Sequence, residues 1–280
     1  MDEETLRAEI ESSARSVGAN RVICLEDVRK LAEDFGSVRG VERAALEQGV
    51  VPARYLRNLG TIGIAGQLKL MRASVAIVGL GGLGGYVTEA LARMGVGRLI
   101  LIDGDTFEES NLNRQLLSSE GALGAAKARS AGQRVAEVNR AVATICHAEA
   151  LTGANASRLL KGADVVVDAL DRLPTRLILQ DAARDIGIPM VHGSIGGFLG
   201  EVMTILPGDP GLHTLYGDGA GLPEQGLEAE LGTPVGTPMA VAAWEAQEVA
   251  KILTGKGELL RGRLLVIDME SATCQTLNLG

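Results

Sequence analysis

Apolar positions in this chain follow two rhythms. Short continuous runs stand at Val75-Ala76-Ile77-Val78, Leu99-Ile100-Leu101-Ile102 and Val165-Val166-Val167, with further stretches closing at Val191-His192-Gly193-Ser194 and running from Val202 to Leu206. Runs without alternation are the pattern of strands buried on both faces of a parallel sheet. Between them, apolar residues recur at helical spacing, as in Val87, Leu91 and Met94. From Met239 to Leu253 the same spacing predicts a long helix with Val241, Trp244, Ala246 and Val249 facing inward. Two strands, Arg263 to Asp268 and Thr273 to Leu279, close the chain. Alternating strand and helix predicts an α/β fold, a doubly wound Rossmann-like sheet.

Residues 1–50 read differently. Leu6 and Ile10 suit one amphipathic helix, Val28, Leu31 and Phe35 a second, and Val41, Ala45 and Leu46 a third with Ser37 as its N-cap. The expected organisation is a small N-terminal helical extension over 1–50 and one larger domain over 51–280. In 208–238, twelve residues are Gly or Pro, which predicts a long functional loop without regular structure.

Composition narrows the classes. Hydrophobic residues make up 46% of the 280 and aromatics only 2%, so the core is aliphatic. The net charge of −8 argues against a nucleic-acid or anionic-membrane surface. Within 1–50 the net charge is −4, which also argues against reading its helix pair as a DNA-binding motif. The N-terminus, Met1-Asp2-Glu3-Glu4, is acidic, the opposite of a signal peptide. No apolar run reaches the ~20 residues of a membrane span, and a cytoplasmic location is the expectation. Cys24, Cys146 and Cys274 are far apart and form no C-x-x-C pair. Each is expected to be a small buried hydrophobe rather than a nucleophile.

Candidate chemistry gathers between Val75 and Gln115. Gly79, Gly81 and Gly84 between the first strand and its helix fit a dinucleotide fingerprint, and Asp103 ends the next strand where a ribose-binding acid belongs. The glycines admit phosphates close to backbone, and the helix N-terminus offers free N–H groups. Alone, this pattern fits a nicotinamide oxidoreductase. Ser110-Asn111-Leu112-Asn113-Arg114-Gln115, just beyond the acid, fits better a nucleotide whose triphosphate is attacked, because a cation there neutralises charge on phosphorus and on leaving pyrophosphate. Asp168 and Asp171 end a buried strand at the sheet edge where open α/β folds bind ligands. His192 reads as a hydrogen-bonded core histidine.

The glycine turn, the Asp-x-Asp at Asp103 and Asp105, and the run Ser110 to Gln115 together resemble the ThiF/MoeB/HesA family, bacterial relatives of ubiquitin-activating enzymes, over about Arg54 to the C-terminus. The resemblance implies ATP-dependent adenylation of the C-terminal glycine of a small ubiquitin-like sulfur carrier ending in Gly-Gly, as in molybdopterin or thiamin synthesis. It implies that Asp103 holds the ribose, and that Gly82, Asn111, Arg114 and Lys127 (the Lys of a Gly-x-x-Lys motif) hold phosphates. Asp171 is the position that orients Mg²⁺. Arg54-Tyr55-Leu56-Arg57-Asn58 resembles the family's Arg-Tyr-x-Arg-Gln, whose second Arg, here Arg57, reaches the triphosphate of the neighbouring subunit in a homodimer. Asn58 replaces the usual Gln, and Arg172 the usual Asn after the Mg²⁺ acid. The Cys pairs of zinc-binding members are missing, so zinc is not expected. Three rival readings remain. One is a tRNA threonylcarbamoyladenosine dehydratase-like adenylating enzyme, one a nicotinamide oxidoreductase, and one a non-enzymatic partner subunit that has lost its ATP residues.

Overall fold

The structure is a computed structural model that describes residues 3–279 apart from Glu224, Gln225 and Leu227, and leaves out the side chains of Glu228 and Ala229. The chain opens with α1 (Glu3–Ser13), β1 (Arg15–Val17), β2 (Asn20–Ile23), α2 (Leu25–Phe35), α3 (Val38–Glu47) and β3 (Val50–Pro52). The three expected helices are present. Ser37 caps α3, its Oγ accepting the Gly40 N–H at 3.1 Å. Ile10, Ile23, Val28, Val41, Ala45 and Val50 form their shared core.

The extension is not purely helical, as its sequence led us to expect. It also holds a three-stranded sheet in the order β1-β2-β3. Strands β1 and β2 form a hairpin through Gly18, whose φ of 59° suits a two-residue turn. These strands are too short and too polar to show a period of two. β3 pairs in parallel with β2, so residues on both sides of the 50/51 junction complete this sheet.

The remaining elements are α4 (Leu59–Arg72, kinked at Gly63), β4 (Ser74–Val78), α5 (Gly82–Met94), β5 (Arg98–Ile102), α6 (Lys127–Val138), β6 (Ala143–His147), α7 (Ala156–Leu159), β7 (Val165–Asp168), α8 (Leu173–Ile186), β8 (Met190–Gly196), β9 (Leu199–Ile205), α9 (His213–Tyr216), α10 (Glu228–Leu231), α11 (Gly236–Thr254), β10 (Arg263–Asp268) and β11 (Thr273–Asn278). They build one eight-stranded sheet in the order β11-β10-β9-β8-β7-β4-β5-β6. From β8 to β6 every pairing is parallel, and β9, β10 and β11 continue antiparallel. The order reverses between β4 and β7. That is the switch point of a doubly wound sheet, where ligands bind at the carboxyl ends of the strands.

Each face of the sheet has its own core. Val75, Ile77, Leu99, Leu101, Val165 and Val167 meet α4, α5, α6 and α11, while Ala76, Val78, Ile100, Ile102 and Val166 meet α7 and α8. The apolar runs read as parallel strands because both faces are buried.

Two expectations are corrected here. Trp244 is 40% exposed rather than inward. Val241, Ala242, Ala246 and Val249 already fill the inner stripe of α11. The Gly/Pro-rich stretch is not structureless, because it carries α9, α10 and the first turn of α11. Pro238 is tolerated in that first turn, where its missing N–H costs no intrahelical bond. Part of the stretch, Glu224, Gln225 and Leu227, lies outside the described residues.

One close approach fixes α5 against the sheet. A Cβ on Gly84 would overlap the Gly79 carbonyl oxygen and also stand 3.3 Å from Ala169 Cβ. The obstacle is backbone, so no rotamer relieves it. Gly84→Ala is therefore expected to destabilise the fold by about 3 kcal/mol, read from the midpoint of urea unfolding. A loss under about 1 kcal/mol would mean that strand and helix separate easily.

Candidate active site

The cleft lies where β4, β5 and β7 end. It encloses about 670 Å³ and is lined by Gly79, Gly81 and Gly82 on one side and Asp171 and Arg172 on another. Gly79 follows β4 with φ 87°, a conformation that side chains strain, and its N–H bonds to the Ile102 carbonyl at 2.9 Å. A Cβ there would strike the Ala169 carbonyl. Gly81 is the N-cap of α5 and offers no side-chain cap. The first-turn amides of α5 therefore face the cleft without intrahelical acceptors, at the positive end of the helix dipole.

Asp103 directly follows β5. Its Oδ2 accepts the Leu80 N–H at 2.7 Å and its Oδ1 the Asp105 N–H at 2.8 Å. Burial pushes its pKa up, opposed by those backbone bonds and by the Lys127 charge. Asp103 thus ties the glycine turn to its own loop while lining the cleft. Lys127 opens α6, almost wholly buried, with Nζ 3.2 Å from Asp105 Oδ2. Arg114 sends Nη1 to the Ser110 carbonyl and to Asn113 Oδ1, each at 2.9 Å.

The structure brings Gly79, Gly81, Gly82, Asp103, Arg114, Lys127 and Asp171 together around this cleft. It places three other expected site residues outside the lining. Gly84 lies behind it, in the helix–strand contact. Asn111 is buried in a short 3₁₀ turn, its Oδ1 accepting the Glu108 N–H at 3.1 Å. Arg57 is exposed on the turn before α4, away from the cleft of its own chain.

Sequence reasoning missed Gln115 and Arg176 as lining residues. Gln115 closes the quoted Ser110–Gln115 run. It is buried beside Gly81, with an Oε1 that finds no partner. Arg176, 4% exposed, directs Nε to the Leu170 carbonyl at 3.1 Å. The available signal was Arg172 and Arg176, four apart at the start of α8 and just after Asp171. Four cationic side chains, Arg114, Lys127, Arg172 and Arg176, therefore face the cleft with Asp171. Backbone amides and cations suit a polyphosphate. Asp105 and Asp171 are exposed carboxylates in the lining, and Mg²⁺ takes one or two carboxylates and completes its shell with phosphate oxygens and water.

Behind the cleft, Asp168 Oδ2 pairs with His192 Nδ1 at 2.7 Å, and both side chains are fully buried. Asp168 Oδ1 accepts the Leu170 N–H at 3.1 Å. His192 is thus the expected core histidine. Glu245 on α11 is enclosed next to Gly193, where a Cβ would meet its carboxyl carbon at 2.5 Å. Among the described residues neither Glu245 oxygen has a hydrogen-bond partner.

The cysteines depart from expectation. Cys146 and Cys274 are exposed and Cys24 is half-buried. The first two sit on β6 and β11, the two edge strands, where one flank has no neighbour to cover it. Cys146 still packs against Gly132 on α6, and burial pushes its thiol pKa up.

A glycine turn and a cluster of cations at the switch point of a doubly wound sheet suit the phosphates of a nucleotide. The chain belongs to the ThiF family, whose model matches residues 55–280, and is an adenylyltransferase of the ThiF/MoeB type. It is 37% identical over 229 residues to the SAMP-activating enzyme E1 of Haloferax volcanii, covering 80% of this chain and 84% of the relative. It is 38% identical over 242 residues to the adenylyltransferase and sulfurtransferase MOCS3 of Drosophila yakuba, covering 81% of this chain and 51% of that protein. The chain thus spans about half the length of the MOCS3 relatives. Among solved structures, E. coli MccB with ATP superposes with a TM-score of 0.70 at 22% identity, covering 90% of this chain and 82% of that one. The likeness to MccB concerns the fold. Among the described residues no helix is long and apolar enough to cross a membrane.

Glu245 generates a pH prediction. Burial first, and then the nearby Asp168 charge, holds its pKa well above the ordinary 4.5, against a smaller opposing pull from Arg176. The folded state keeps a proton that the unfolded chain releases. This contribution to stability is present below the unfolded pKa and is lost as pH rises through the folded one. Glu245→Gln removes the titration. The Tm of wild type is expected to fall relative to Glu245→Gln between about pH 5 and about pH 8. Parallel curves over that range would show that Glu245 reaches water or a partner when ionised.

Proposed function

We propose that this chain uses ATP and Mg²⁺ to adenylate the C-terminal glycine carboxylate of a small ubiquitin-like sulfur carrier ending in Gly-Gly, in the cytoplasm and as a homodimer. The carrier serves molybdopterin- or thiamin-type sulfur transfer. Residues 51–280 form the ATP-binding part and 1–50 the extension. The observation that carries the reading is the convergence of Asp171 with Arg114, Lys127, Arg172 and Arg176 on the open N-terminus of α5. The names of the relatives, an activating enzyme E1 and an adenylyltransferase, support it.

In this reaction a carboxylate oxygen of the carrier attacks the α-phosphorus of ATP. The new bond is acyl oxygen to phosphorus, the bond that breaks joins the α-phosphorus to the bridging oxygen, and pyrophosphate leaves with that electron pair. The substrate brings its own nucleophile, so the protein supplies positioning and charge stabilisation. Asp103 stands where the ribose hydroxyls bind. The amides of α5 and the Arg114 and Lys127 cations face the phosphates. Asp171 would hold Mg²⁺, which neutralises the phosphate oxygens. Arg57, exposed and with no side-chain hydrogen bond among the described residues, is the group offered to the partner subunit's cleft. A nicotinamide cofactor would leave Arg57, Arg114 and Lys127 without a role, and a tRNA substrate would meet a chain of net charge −8.

Asp171→Ala is expected to lower Mg²⁺-dependent ATP–pyrophosphate exchange by about 100-fold or more while leaving Tm unchanged. Exchange at the wild-type rate would remove Asp171 from the site. Mixing Arg57→Ala with Asp171→Ala protein is expected to restore exchange, because the heterodimer has one cleft with both groups intact. Absence of recovery after demonstrated subunit exchange would place Arg57 outside the partner's cleft.

A further inference from the structure

Glu42 is a carboxylate where a helix core usually has none. It lies on α3 of the N-terminal unit and is fully enclosed. Glutamate is almost never fully buried unless paired. Here Oε2 accepts the Tyr55 hydroxyl at 2.8 Å, and Oε1 stands 3.4 Å from Arg54 Nε, at ion-pair distance but without hydrogen-bond alignment. The knot closes through Asn139, the residue after α6. Its Nδ2 donates to Tyr55 Oη at 3.0 Å and to the Ala92 carbonyl of α5 at 2.9 Å, and its Oδ1 accepts Arg54 Nη1. The Tyr55 ring is wedged against Gly95, where a Cβ would stand 2.5 Å from it.

The knot sits at the base of the Arg57 turn. On the far side of that turn the Asn58 N–H bonds to the Tyr55 carbonyl at 2.9 Å, Asn58 Nδ2 to Gln67 Oε1 at 2.9 Å, and Gln67 Nε2 to the Met94 carbonyl at 2.8 Å. Arg57 is thus flanked on both sides by anchored residues while its own side chain stands exposed, with no hydrogen bond among the described residues. Burying Glu42 carries a desolvation cost. Desolvation pushes the Glu42 pKa up, only partly offset by Arg54 and Tyr55. A whole buried ion pair is often replaceable by hydrophobes at no loss of stability, whereas removing one partner alone is costly. A rigid base under a projecting arginine, in contrast, lowers the cost of presenting it to a ligand.

We propose that Glu42 is a positioning residue for adenylation, through which the N-terminal unit fixes the Arg57 turn that serves the partner subunit's cleft. The inference rests on the Arg57 role proposed above, and its test is built to fail separately from it. The readouts are Mg²⁺-dependent ATP–pyrophosphate exchange and Tm on the full-length homodimer. Glu42→Leu keeps the bulk and removes the acceptor. Its kcat is expected to fall by about tenfold or more, the scale of a misplaced charged group, with KM for ATP changed less. Glu42→Gln, which still accepts the Tyr55 hydroxyl, is expected to recover most of that loss. Tyr55→Phe is expected to match Glu42→Leu and provides the same test should Glu42→Leu fail to fold.

The decisive measurement mixes Glu42→Leu with Asp171→Ala. In the heterodimer the working cleft belongs to the Glu42→Leu subunit and receives Arg57 from the subunit with an intact knot. Exchange per working cleft is expected to return to the wild-type level. A general defect in the Glu42→Leu subunit would instead follow that subunit and give no recovery. Wild-type exchange in both Glu42→Leu and Tyr55→Phe, or failure to recover in a mixture where Arg57→Ala does recover, would overturn the assignment of Glu42. Failure of the Arg57→Ala mixture itself overturns the Arg57 role, which Glu42 then cannot serve.

Discussion

Everything in the cleft depends on how closely the Gly79 carbonyl approaches Gly84. That contact leaves no space for a side chain. It sets the first turn of α5 directly over the end of β4, and so aims the unbonded amides of the helix at the switch point of the sheet. From there the constraint spreads. Within this turn Asp103 accepts the Leu80 N–H at 2.7 Å. Gln115 lies close beside Gly81, its amide 3.3 Å from where a Cβ would stand. A looser turn would move the anion-binding amides away from every side chain that lines the cleft.

The same locality explains what could be read from sequence. The unit from β4 to β5 is contiguous, and its glycines occur at offsets that the backbone geometry demands. Gly79, Gly81, Gly82 and Asp103 were therefore found at once. Gln115 and Arg176 were not assigned, because their place in the cleft depends on how separate segments converge. Asn111 is expected at the phosphates from its motif; in the structure its Oδ1 accepts the Glu108 N–H of its own turn. In the N-terminal unit the helices were legible from their amphipathic spacing. β1 and β2 were not, since three or four polar residues leave no period to detect. Trp244 and the exposed cysteines share another reason. An apolar residue type predicts burial only where a neighbour exists to cover it, and sheet edges and outer helix faces lack one.

Glu245 and the Asp168–His192 pair show the opposite situation, polar groups where apolar ones would be expected. Asp168 ends β7 directly below Leu170, whose N–H it holds and whose carbonyl receives Arg176. The loop that carries Asp171 is thus pinned from beneath before Asp171 itself projects. An exposed carboxylate on a pinned loop keeps its freedom to bind an ion without a large entropic cost of ordering its backbone.

The charge balance of the cleft follows from how its cations are held. The chain carries a net −8, yet its cleft presents a cluster of positive groups. Arg114 is oriented by the Ser110 carbonyl and the Asn113 amide, and Arg176 by the Leu170 carbonyl. These acceptors are neutral, so they aim the guanidinium groups without cancelling their charge. Of these three, Lys127 leans on a carboxylate, Asp105, which is itself exposed. Preorganised charge held by neutral dipoles needs little rearrangement when an anion arrives or when charge develops during reaction. The surface acids, screened within about 10 Å by salt, offset little of that local field.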